Sequence, residues 1–219
     1  MIRGVLWTYA RCFRSQTWTT PTVAFALVAL IAYSGAAPYY RSAAIGGAIA
    51  VVFGVWLMIA SAGNHPGQRA VAAVAVGGAA RLRAAEGVAA VGLVVAYALV
   101  GHVLSVLRDP DLPQRAAPGL HTTALGGLYV LGAVTGVAIG AITAPPVIRG
   151  RAMTFVLAAL GTALCVAVPG SPVLTLITLA SQDAFRDGDP GRLALALAVG
   201  SVTAAAGLLV ALRVVRRRG

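Results

Sequence analysis

Gly63 to Gly87, GNHPGQRAVAAVAVGGAARLRAAEG, is the stretch on which the fold of this chain turns. Gly63, Asn64, His65 and Pro66 open it with helix-breaking residues, and a small apolar run fills residues 70–80. Gly77 and Gly78 interrupt that run, and Arg81, Leu82, Arg83 and Glu86 close it. As a helix the run would be about 16 Å long, roughly half of a hydrocarbon core about 30 Å thick. It is too short to cross a membrane, yet long apolar stretches flank it on both sides. Residues 63–85 therefore read as a short helix on one surface of a membrane protein, then a turn, then re-entry of the chain from Glu86.

The rest of the composition agrees. With 59% hydrophobic and 11% charged residues, a chain of 219 residues has too little polar material to coat a soluble globule. Six stretches read as crossings: residues 22–33 with flanking small residues, 42–62, 86–107, 122–144, 153–168 and 193–212. They consume more than half of the chain, so residues 1–219 are expected to form a single transmembrane domain without a second globular unit. The expected fold class is all-α and polytopic, with six transmembrane helices, an interfacial amphipathic helix in residues 1–20, the short surface helix in 63–85, and an outer re-entrant segment in 169–186.

Charge fixes the orientation. All 17 basic residues are arginine, and they fall in the gaps between the apolar stretches. Twelve lie on one side: Arg3, Arg11, Arg14, Arg69, Arg81, Arg83, Arg149, Arg151, Arg213, Arg216, Arg217 and Arg218. The other side holds Arg41, Arg108, Arg115, Arg186 and Arg192, balanced by Asp109, Asp111, Asp183, Asp187 and Asp189, so the first side carries nearly all of the +11. The positive-inside rule then places both termini, and residues 63–85, in the cytoplasm. Arginine in place of every lysine, with abundant alanine, valine and glycine, points to a high-GC bacterium and hence to its cytoplasmic membrane as the location. Basic residues at span ends fit anionic lipid headgroups as partners rather than nucleic acid. Cys12 and Cys165 are too far apart in topology to form a structural disulfide. The first 20 residues carry three arginines and no uninterrupted apolar run, which argues against a cleavable signal peptide.

Within residues 1–20, Arg3, Trp7, Arg11, Arg14 and Trp18 recur every three or four positions and share one stripe of a helix, with Ile2, Val5, Leu6, Tyr9 and Phe13 on the other side. The pattern predicts a helix in the inner interface with its arginines toward headgroups. In the fourth stretch Gly132, Gly136 and Gly140 share one face, a helix-packing strip whose partner, a sister helix or another subunit, the spacing leaves open. From Ala152 to Gln182 no charge occurs, and Pro169, Gly170, Ser171 and Pro172 break the run. A crossing followed by an apolar segment that dips back toward the membrane, residues 173–180, accommodates it.

Several chemistries are excluded. Without lysine there is no P-loop and no Schiff base, so the chain itself does not hydrolyse nucleotide by that route. The crossings hold no Asp or Glu beyond Glu86 at an inner edge, which weighs against a proton- or sodium-driven carrier. His102 and His121 fall near the same outer end, but two ligands make a weak metal site, and they read as interfacial hydrogen-bonding residues. Ser201 and His102 are nominal partners for nucleophilic catalysis without a nucleophile motif around the serine. The chain is expected to be non-catalytic and to carry no metal or cofactor of its own.

The order of parts, from interfacial helix through two crossings, cytoplasmic segment, four crossings and a broken segment before the last, resembles the permease subunit of type-2 ABC exporters. Val76 to Gly87, VGGAARLRAAEG, is similar to that family's coupling helix and its exit. Ile139 to Arg151 looks like its glycine-rich helix end and basic turn, and Val168 to Arg186, with Pro169, Gly170 and Pro172, like its outer re-entrant hairpin. The acidic residue often found before the coupling helix is absent, with Asn64, His65 and Gln68 in its place. The resemblance implies docking of a separate ABC ATP-binding subunit at Gly77, Gly78, Arg81, Leu82, Arg83 and Glu86, with ATP and Mg bound by that partner. It also implies a second permease copy or paralogue, and alternating access for an amphipathic or lipid-like cargo. On the bare residues, ordinary anchoring of Arg81 and Arg83 beside a helix N-terminal acid is the simpler account. A six-helix secondary carrier or channel and a non-transporting membrane scaffold are the rival functions.

Overall fold

The computed structural model describes residues 2–14, 18–32, 39–62, 66–108, 118–145, 147–148, 150–171, 173–175, 178 and 190–218. The long elements among them are α1 (Ile2–Arg14), α2 (Thr19–Ala32), α3 (Tyr39–Ala62), α4 (Pro66–Val76), α5 (Ala79–Arg108), α6 (Pro118–Thr143), α7 (Arg151–Ala167) and α8 (Pro190–Arg218). The described residues contain no strand, as the all-α class requires. Prolines set several starts: Pro66, Pro118 and Pro190 are the first residues of α4, α6 and α8, and Pro21 lies in the first turn of α2. There the missing N–H costs nothing and the fixed φ is already helical.

The helices differ in the apolar stretch that they present among the described residues. At 1.5 Å per residue α5, α6 and α8 are about 45, 39 and 44 Å long, and three stretches within them, Ala79–Leu104, Gly126–Thr143 and Leu197–Val214, are long and apolar enough to cross a membrane. Thr19–Ile31, Ile45–Ser61 and Ala152–Ala167 are apolar but shorter. Large apolar side chains cover the outside: Leu30, Leu107, Leu195, Val202 and Leu209 are all exposed. Water does not tolerate such an exterior, whereas lipid does.

The centre is the contact of α3 with α6, made backbone to backbone. A Cβ on Gly132 would fall 2.5 Å from the Gly47 carbonyl oxygen, one on Gly136 would strike the Val51 carbonyl, and one on Gly140 would lie 2.9 Å from the Val55 carbonyl. From the other side, a Cβ on Gly54 would lie 2.7 Å from the Ala133 carbonyl. The glycine strip thus faces a sister helix of the same chain. Around it pack Ala50, Phe53, Leu57, Met58, Ala90, Val94, Ala133, Val137 and Ala141. Thr22 on α2 and Tyr97 on α5 share a hydroxyl hydrogen bond of 2.6 Å, and Phe25 stacks on Tyr97 at 5.1 Å between ring centres, which fastens α2 to the bundle.

Contacts also fix relative direction. Gly47, Val51 and Val55 meet Gly132, Gly136 and Gly140 in order, so α3 and α6 run the same way. Gly127 meets Leu197, Leu131 meets Gly200 and Ala138 meets Gly207, so α8 runs with them. Arg83 reaches Ala141 while His102 lies against Tyr129, so α5 is antiparallel to α6.

The N-terminal helix packs differently from its amphipathic pattern. Its buried line is Gly4, Thr8 and Cys12, with Gly4 against Val76 and Ala85, while Ile2, Leu6 and Phe13 point outward. Small residues go in and bulky apolar ones go out, as expected where the surroundings are themselves apolar.

Candidate functional site

The corner between α4 and α5 is built by its two glycines. Gly77 and Gly78 have φ of 86° and 127°, in the region that favours glycine. Gly78 N–H donates to the Ala73 carbonyl at 2.6 Å and Gly77 N–H to the Val74 carbonyl at 3.1 Å. That pair of bonds is a Schellman motif, which satisfies the orphan carbonyls at the end of α4. The Gly78 carbonyl in turn accepts from Leu82 N–H at 3.0 Å and starts α5. Arg81 is exposed and folds back over Gly77, its Nη1 2.8 Å from where a Cβ on that glycine would sit. No residue of unconstrained backbone separates the two helices.

On α4, Ala72 is buried while Val71 and Val74 are 72% and 82% exposed. The inward side of the corner is ionic. Glu86 is fully buried, and its Oε2 accepts from Arg69 Nη2 on α4 at 3.3 Å and from Arg83 Nη1 at 3.4 Å. Arg83, itself only 2% exposed, also donates through Nη2 to the Ala141 carbonyl on α6 at 2.9 Å. Arg11 on α1 donates to the Ser61 carbonyl near the end of α3 at 2.7 Å. Burial pulls the Arg11 guanidinium below its ordinary pKa, with nearby Glu86 opposing that fall. Glu86 with Arg69 and Arg83 thus ties α4, α5 and α6 together beside the corner, and Arg11 separately ties α1 to α3.

The six corner residues singled out in sequence therefore divide. Gly77, Gly78 and Arg81 lie on the surface, whereas Leu82, Arg83 and Glu86 are inside the protein. Arg69, which the sequence pattern presents as a headgroup anchor, belongs to the ionic cluster, and Arg11, which it presents likewise, holds α1 to α3. The one sequence signal for Arg69 is that Glu86 is the sole acid in residues 1–108. Along α3, Gly47 and Gly54, seven residues apart, were the overlooked counterpart of the α6 glycines.

Elsewhere, Val168 ends α7 and donates to Leu164, and Pro169 and Gly170 form a turn with Gly170 at φ 86°. Pro172, residues 176–177 and residues 179–186 of the expected re-entrant segment lie outside the described residues. His102 is half-buried with its ring edge-on to Tyr129 at 5.8 Å, and His121 has no described side chain. Ser201 Oγ donates to the Leu197 carbonyl within α8 at 2.7 Å. Among the described residues no three His, Cys, Asp or Glu gather as metal ligands. No protein-family model, curated protein or solved structure matches the chain.

Proposed function

We propose that the chain is the transmembrane permease subunit of an ATP-driven exporter of the ABC type. One of two membrane halves, it moves an amphipathic or lipid-like cargo by alternating access, powered by separate ATP-binding subunits that hold ATP and Mg. What supports this is the α4–α5 corner. A short helix presents Val71 and Val74 outward beside Arg81, which is the surface an amphipathic helix offers to a groove on a partner. Because the corner is closed by hydrogen bonds and backed by the Glu86 cluster, a push on α4 is passed to α5 through Arg69 and to α6 through Arg83. Gly77, Gly78 and Arg81 would meet the partner, and Leu82, Arg83 and Glu86 would transmit from within.

Six crossings with both termini cytoplasmic complete the proposal. In that arrangement α3, α6 and α8 run inward and α5 runs outward, in keeping with their mutual directions. The test is purification from the native host in mild detergent. A stoichiometric ATPase bearing a P-loop should accompany the chain, and Val74→Asp or Arg81→Glu, at exposed positions, should lower its recovery about tenfold, roughly 1.4 kcal/mol of binding. Transport by the purified chain alone in ATP-free liposomes would contradict the proposal and favour a secondary carrier.

A further inference from the structure

Beside the ionic cluster a cleft of about 290 Å³ opens among α3, α5, α6 and α8, lined by Met58, Arg83, Gly87, Val91, Val134 and Leu208 among others. It is graded along its length. Arg83 with Ala141 and Leu212 marks one end, and Val91 with Val134 and Leu208 the other, about 12 Å further along α5. Arg83 supplies the one charged side chain in an otherwise apolar lining. Its Nε is buried with no hydrogen-bond partner, as is Oε1 of Glu86. Two guanidiniums, those of Arg69 and Arg83, meet the one carboxylate of Glu86. A buried guanidinium N–H left without an acceptor costs free energy, which an anion reaching Nε of Arg83 would recover. One residue beyond Leu212 the exposed Arg213 begins a basic run that continues to Arg218, placing further cations on the helix that walls the polar end.

We propose that this cleft holds one acyl chain of an anionic membrane phospholipid, with the phosphate at the Arg83 end and the tail running toward Val91, Val134 and Leu208. Guanidinium recognises phosphate by charge-assisted hydrogen bonds, and the volume, at the small end of ligand pockets, suits one hydrocarbon tail. The site stands independently of the export function, since it needs neither ATPase nor second permease.

Native mass spectrometry of the full chain, released from bilayers of equal phosphatidylglycerol and phosphatidylcholine, tests it. One phosphatidylglycerol should be retained about tenfold in preference to phosphatidylcholine. Val88→Trp, a half-exposed position on the cleft wall, should abolish that retention, whereas Leu195→Trp on the outer face of α8 should not. The paired change Arg83→Gln with Glu86→Gln, which removes both charges together, should equalise the two lipids. Equal retention by the unaltered protein, or a Val88→Trp variant that keeps as much phosphatidylglycerol as Leu195→Trp, would overturn the proposal. So would displacement by equimolar oleate, which would make a free carboxylate the occupant instead of a phospholipid.

Discussion

Glu86 is the residue on which the α4–α5 end of the bundle depends. Its carboxylate is fully buried and receives Arg69 and Arg83, and through them it joins α4, α5 and α6. Removing one member of a buried ion pair leaves the others charged without compensation, at about 3–5 kcal/mol. Glu86→Gln should therefore lower the unfolding midpoint in detergent markedly, and adding Arg83→Gln should recover much of the loss, because a neutral pair avoids the desolvation cost. A Glu86→Gln variant as stable as the parent would remove Glu86 from this role. At this scale the sequence was only partly legible. The single acid of residues 1–108 was visible, but an arginine that anchors to headgroups and one that turns into the protein look the same in sequence. Tertiary packing alone sends Arg69 and Arg83 inward and leaves Arg81 out.

Helix pairing on glycine governs the element scale. Gly136→Ala would drive a methyl group into the Val51 carbonyl on α3, and since backbone cannot step aside as a side chain can, the overpacking should cost about 1–3 kcal/mol. Gly126→Ala, in the same helix with open space around it, should instead leave stability unchanged or raise it by about 0.5–1 kcal/mol through helix propensity. Thermal unfolding of the two variants side by side checks the pairing, and equal effects would refute it. At the α4–α5 corner, Gly77→Ala should cost about 1–2 kcal/mol, because its φ of 86° strains any residue with a Cβ. Proteolysis within residues 70–85 would report the loosened turn. Such elements were legible where the signal is local, as in the glycine doublet and the four-residue glycine spacing. The partner helix was not, nor was the inward face of α1. Bulky apolar residues mark the buried side of a helix in water, yet here Gly4, Thr8 and Cys12 are buried and Ile2 and Leu6 face out.

Across the whole molecule, apolar composition and the one-sided arginines led to a membrane protein, and the helical bundle with its apolar exterior agrees. Three helices meet the length and apolarity needed to cross, while the apolar stretches of α2, α3 and α7 are shorter. Crossing number depends on how these helices tilt and on where interfacial residues sit, and neither is written in composition. In the proposed exporter α4 is a cytoplasmic handle fixed rigidly to the bundle. The most direct test of this places one cysteine at Val74, an exposed position on α4, in a background with Cys12 and Cys165 replaced by alanine, and exposes it to a membrane-impermeant maleimide. Labelling in inside-out vesicles but not in right-side-out spheroplasts is the predicted result, and labelling from the outer face of spheroplasts would contradict it.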